Sequence, residues 1–207
     1  MPLAQALAEF KVNVLQCESL IANAHKTDHV GVPILPALDQ QQITVAAFLN
    51  TFIAWETFLE LSITELMIGA KAIGGKPIVK FVNAKNYGAA TDMLMGTNRY
   101  FDYGNHDFVR KIVNIYFELG YPFEPHLSSI NSELCDIRTI RNSCAHITSS
   151  TQRNLESLAL RLLSNPHNGI TVYKLLASVD PTSLTNDTVF LTYKKKLVVA
   201  AELIARG

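Results

Sequence analysis

Arg141, Asn142 and His146 fall within one short stretch, L-C-D-I-R-T-I-R-N-S-C-A-H-I, which runs from Leu134 to Ile147. They bring together a permanent cation, an amide and an imidazole able to give or take a proton near neutrality. Apolar residues at Ile130, Leu134, Ile137 and Cys144, with Ile140 and Ile147 on one shoulder, follow helical spacing. At about 100° per residue, Arg141 lands roughly 20° from the middle of that apolar stripe. A guanidinium cannot shed its charge in a dry site, so it requires a partner, an interface or an anion there. Asn142 and His146 stand four apart and are neighbours on an adjoining face.

A carboxylate is available to answer the arginine. The segment from Asp39 to Ala72 reads as one long helix, with Val45, Phe48, Leu49, Phe52, Leu59, Ile63 and Leu66 as its stripe. On the same wheel Glu56 sits about 20° from the stripe's centre. Two buried-line charges of opposite sign are most cheaply satisfied by facing each other or sharing a polar pocket, with Trp55 beside Glu56 as its wall. Read without chemistry, the same pair is a buried salt bridge that fixes helix register.

The bulk numbers set limits. The 207 residues suit one domain with a real core, and 48% hydrophobic with 17% charged residues is a globular composition. Lys plus Arg equals Asp plus Glu at 18 each, so binding of RNA has to rest on a local patch rather than on net charge. The opening M-P-L-A-Q-A-L-A-E-F-K lacks a basic region and a long apolar run, which is unlike a secretory signal. The most apolar stretch, Ile43 to Ala70, is broken by Glu56, Glu60 and Glu65, which argues against a membrane span. Cys17, Cys135 and Cys144 are odd in number and lack metal-ligand spacing, so they read as reduced thiols in a cytoplasmic protein.

The remaining elements must position the motif. Leu3, Leu7, Phe10, Val14, Cys17 and Ile21 predict an amphipathic helix from Leu3 to Ala24, broken by G-V-P-I-L-P. His25 and His29 resemble a metal pair, but with no third ligand nearby they read as a solvated helix end. Gly74-Gly75-Lys76-Pro77 lacks phosphate-loop spacing and reads as the stop of the long helix. Residues 78–104 form the weakest pattern, an irregular insertion or mobile loop. Within it Tyr87 to Met95 suits a short helix, and Tyr100, Phe101 and Tyr103 suit capping of the core or stacking on bases. Helical spacing resumes at Phe108, Ile112, Ile115, Tyr116 and Leu119 and closes at Gly120 and Pro122. Ser128 or Ser129 is then placed to cap the motif helix. Thr148 to Thr151, T-S-S-T, can stop that helix and cap the next, and its hydroxyls can reach a phosphate. A short helix through Leu155, Leu158, Leu162 and Leu163 follows. The last helix, from Asp187 to Arg206, turns Phe190, Tyr193, Leu197, Ala200 and Ile204 inward. The expected architecture is an all-α, up-and-down helical bundle over residues 1–207.

Arg141-Asn142-Ser143-Cys144-Ala145-His146 is an R-N-x-x-x-H pattern at the end of a helix in an all-α chain. With the A-W-E-T-F-L-E helix and the L-G-Y-P-F turn, it resembles the HEPN superfamily, most closely the RiboL-PSP-HEPN branch. The resemblance implies a metal-independent endoribonuclease with no cofactor, acting in toxin–antitoxin or antiphage defence. It also implies a homodimer whose two motifs form one composite site, and a cognate antitoxin protein as partner. Cleaving RNA without metal means 2′-OH attack on the adjacent phosphate, leaving a 2′,3′-cyclic phosphate. That needs a base, an acid and cations for the phosphorane charge. His146 would act as base or acid and Arg141 would hold the scissile phosphate by its fork. Asn142 would orient phosphate or imidazole, with Glu56, Ser143 and Trp55 in support. Arg138 and Thr148 would add substrate contacts. A non-catalytic module of the same kind, binding a nucleotide or a partner protein, is the alternative, and a plain helical scaffold is a third.

Overall fold

The computed structural model describes residues 2–146 and 148–207. Among these residues the chain is an all-α helical bundle: nine α-helices, one 3-10 turn and no strand. The helices are α1 Leu3–Ala24, α2 Ala37–Ile68, α3 Tyr87–Met95, α4 His106–Tyr116, α5 Phe123–Ser129, α6 Asn131–Ala145, α7 Ser149–Leu163, α8 Val172–Ala177 and α9 Val189–Arg206. Residues 2–11, 54–134 and 196–207 make one compact unit, and residues 12–53 with 135–195 make a second. No helix among the described residues is long and apolar enough to cross a membrane.

The first unit is built on aromatic packing. Trp55 is fully buried, with ring centroids 6.0 Å from Phe10 and 5.9 Å from Phe58. Its indole N–H donates to Nε2 of the buried His106 at 2.9 Å, which satisfies both polar atoms out of water. That bond also sets the rotation of α4. The inward residues are His106, Val109 and Val113, while Ile115 is 60% and Leu119 84% exposed. The expected stripe through Phe108, Ile112, Ile115, Tyr116 and Leu119 is therefore displaced, because a polar residue begins the buried face.

The end of α2 also differs from expectation. The helix stops at Ile68 rather than near Gly74, with Gly69 at φ +124°. Lys80 donates its ammonium to the Met67 carbonyl at 2.7 Å, serving an acceptor that the helix end leaves orphaned. Gly74 instead permits a close approach to the end of α9, since a Cβ there would stand 2.5 Å from the Arg206 carbonyl oxygen.

Part of the 78–104 stretch is ordered into helix α3 and packs inward. Asn86 caps α3 by accepting from the Ala89 N–H at 2.9 Å, and Ala84, Ala90 and Leu94 are buried. Phe101 packs on Tyr103 and Phe108 at 4.5 and 5.2 Å, while Tyr100 stays exposed. α5 follows the L-G-Y-P-F turn, in a stretch to which sequence periodicity assigned no element. Pro122 is its N-cap residue and Pro125 lies in its first turn, where a missing N–H costs nothing. Ser128 and Ser129 then bond back to the Pro125 and His126 carbonyls instead of capping α6.

In the second unit the apolar faces of α1, α2, α6, α7 and α9 supply Val14, Phe48, Ile137, Leu155 and Phe190 to the core. Lys194 reaches Glu18 at 2.8 Å. His25 bonds the Thr44 hydroxyl at 3.2 Å and stacks on Tyr173, which accounts for it without a metal.

Candidate functional site

The motif occupies the last turns of α6 and the corner leading to α7, all within the second unit. The inward face of α6 there is Asp136, Ile137 and Ile140, with Cys144 half-buried. Arg141 lies off that face and is exposed. The expectation of a buried arginine is thus corrected. The apolar stripe is centred nearer Ile137 and Ile140 than the wheel suggested, because Asp136 is drawn inward and rotates the helix. With Arg141 in solvent, nothing requires a buried carboxylate partner for it. Glu56 and Trp55 belong to the first unit, where Glu56 is half-buried and Trp55 is closed in by Phe10, Phe58 and His106 rather than walling an open pocket.

The polar groups of the motif are sparsely engaged. Arg141 Nη1 donates to Asn142 Oδ1 at 3.3 Å, leaving the other guanidinium N–H groups to solvent. Arg138, one turn earlier, is exposed. The His146 N–H donates to the Asn142 carbonyl at 3.0 Å, so the helical hydrogen-bond pattern continues through His146 and its side chain follows one turn after Asn142. His146 is exposed, and among the described residues its ring has no hydrogen-bond partner.

The corner itself is held by hydroxyls. Thr148 accepts from the Thr151 N–H at 3.2 Å and its own N–H donates to Thr151 Oγ at 3.0 Å, forming a reciprocal cap. Thr151 Oγ also lies 2.5 Å from the His146 carbonyl oxygen, to which it donates. Ser143 Oγ sits 3.0 and 3.3 Å from the Thr139 and Thr151 carbonyls, so its hydroxyl is spent on backbone. Ser143 and Thr148 are accordingly scaffold for the corner, with Ser149 and Ser150 exposed beside them. Sequence reasoning missed Thr151 as the residue that pins His146, although the T-x-x-T spacing carried the signal. It missed Asp136 altogether. Ile147 lies outside the described residues.

Chemically, this end of α6 offers cations and an amide to an anion, and an imidazole within the same short segment. Among the described residues no cluster of three or more metal-ligating side chains occurs. Compared with known protein families, curated proteins and solved structures, the chain matches none.

Proposed function

We propose that the chain is a HEPN-type endoribonuclease acting without a metal ion, with Arg141, Asn142 and His146 as its working residues. What supports this is the grouping on one helix end of an exposed arginine that bonds its neighbouring half-buried amide and an exposed imidazole whose ring has no hydrogen-bond partner among the described residues. Arg141 binds the scissile phosphate through its free N–H groups, and Asn142 orients the guanidinium. His146 takes the 2′-OH proton as that oxygen attacks phosphorus, the P–O5′ bond breaks, and the products are a 2′,3′-cyclic phosphate and a 5′-hydroxyl. The leaving oxygen needs a proton donor as well. A second copy of the chain contributes its own His146, so the working unit is a homodimer with one composite site. Arg138 lends charge to the neighbouring phosphate. The biological setting in this reading is toxin–antitoxin or antiphage defence, with an antitoxin protein as partner.

Purified protein incubated in EDTA with matched RNA and DNA tests the reading. RNA alone should be cut, with cyclic-phosphate ends, and His146→Ala and Arg141→Ala should abolish cutting while circular dichroism is unchanged. Intact RNA with a well-formed dimer would turn the assignment to a binding module for a nucleotide or protein.

A further inference from the structure

The second unit contains a cleft of about 500 Å³ that the motif's chemistry does not use. The first half of α2 lines it, where Val45 and Leu49 are only half-buried and Leu38 is exposed. Leu155 of α7 and Ile170, both buried, also line it, as does the half-buried Cys144 of α6. Of the described residues lining it, none is charged. The hydroxyls of Ser143 and Thr151 point to backbone carbonyls, and Gln152 spends its amide N–H groups on Glu156 and the Ile170 carbonyl. The amides of Gln41 and Gln42 and the hydroxyl of Tyr173 remain as neutral hydrogen-bonding groups of the lining residues.

We infer that this cleft is a binding site for an uncharged, mainly apolar small molecule carrying one or two neutral hydrogen-bonding groups. Its size falls among pockets that enclose small ligands, which are typically lined by apolar side chains with a few polar ones fixing orientation. A carboxylate or phosphate placed there would lose its hydration and meet no cation, and an ammonium would meet no carboxylate. The lining therefore selects against nucleotides, amino acids and anionic lipids, and the amides of Gln41 and Gln42 fit a ketone, amide or alcohol. The inference stands apart from the nuclease reading, since neither Arg141 nor His146 lines the cleft.

The probe is N-phenyl-1-naphthylamine, a neutral fluorophore, added to the full chain carrying Cys135→Ser so that the exposed thiol is removed. Cys17 is buried, which leaves Cys144 as the reporter for iodoacetamide, read at its own peptide by mass spectrometry. Burial holds the Cys144 thiol up at about 11, so alkylation is run at alkaline pH with long exposure. Saturable fluorescence is expected, with Cys144 alkylation slowed about tenfold at saturation and the sulfonated analogue 8-anilinonaphthalene-1-sulfonate binding at least about tenfold more weakly. Ala46→Trp and Gln42→Trp place bulk at exposed helix positions on the lining and should each weaken the probe by about tenfold, with folding verified by circular dichroism. Absence of saturable binding, binding that leaves Cys144 alkylation unchanged, or equal affinity for the sulfonate would each overturn the inference.

Discussion

Helix α6 carries two polar groupings whose circumstances are opposite. Asp136 is 8% exposed, with one carboxylate oxygen against the Arg161 guanidinium and the other accepting from the Tyr193 hydroxyl at 2.9 Å. A turn and more further on, Arg141 is exposed with Asn142 as its partner, and His146 presents an imidazole that nothing in the described structure engages. A buried polar group has to be satisfied or the fold loses stability, so the first grouping is saturated and belongs to the architecture. The second is unsaturated at no cost because water serves it. Its spare donors and imidazole are therefore available to a ligand. Burial, more than residue type, separates the structural charge from the candidate chemical one on this helix.

Substitutions in the two groupings should separate accordingly. His146→Ala and Arg141→Ala are expected to lower RNA cleavage by about 100- to 10,000-fold while leaving stability within about 0.5 kcal/mol; a large stability loss in either would erase the contrast. Asp136→Ala should do the reverse, costing about 2 kcal/mol in urea denaturation, since the Tyr193 phenol loses a buried acceptor while the half-exposed Arg161 guanidinium turns to water. Asp136→Asn should cost less, and a neutral result for both would mean the carboxylate is not structural. Thr148→Ala lies between the groupings: loss of the α7 cap should cost about 1 kcal/mol. Thr151→Ala should in addition lower cleavage several-fold by freeing the His146 carbonyl.

The smallest effect concerns Cys144, on the inner side of the same turn. Burial raises its thiol from 9.0 to about 11, so the folded state keeps the proton longer than the unfolded chain. That stabilisation is complete below about pH 9 and is lost as pH rises to about 11. With the group partly open to solvent, the loss should be about 1 kcal/mol across that window and absent in Cys144→Ala. A pH–stability curve that is the same for both proteins would contradict it.

Elements whose boundaries depend on local chemistry were legible in the sequence. The bounds of α1 and α3 follow from periodicity and punctuation, and the T-S-S-T cap behaves as its spacing implies. What escaped depends on partners distant in sequence. The rotation of α4 is decided by Trp55, fifty-one residues before His106, and the stop of α2 is served by Lys80, thirteen residues after Met67. The orientation of α6 follows the same rule. A wheel counts apolar residues and cannot know that Tyr193, fifty-seven positions away, holds Asp136 inward. Arg141 is moved off the buried line by that bond. The motif residues were thus identifiable by type and spacing, whereas their exposure was not.

Trp55 has one more use. It is the chain's one tryptophan, sealed among Phe10 and Phe58 and bonded to an imidazole nitrogen. Its emission should be blue-shifted in the native protein and red-shifted when that aromatic cluster opens. Arg141, Asn142 and His146 belong to the other compact unit, so an unaltered native spectrum in a motif variant would attest, without any label, that the aromatic core survived the change.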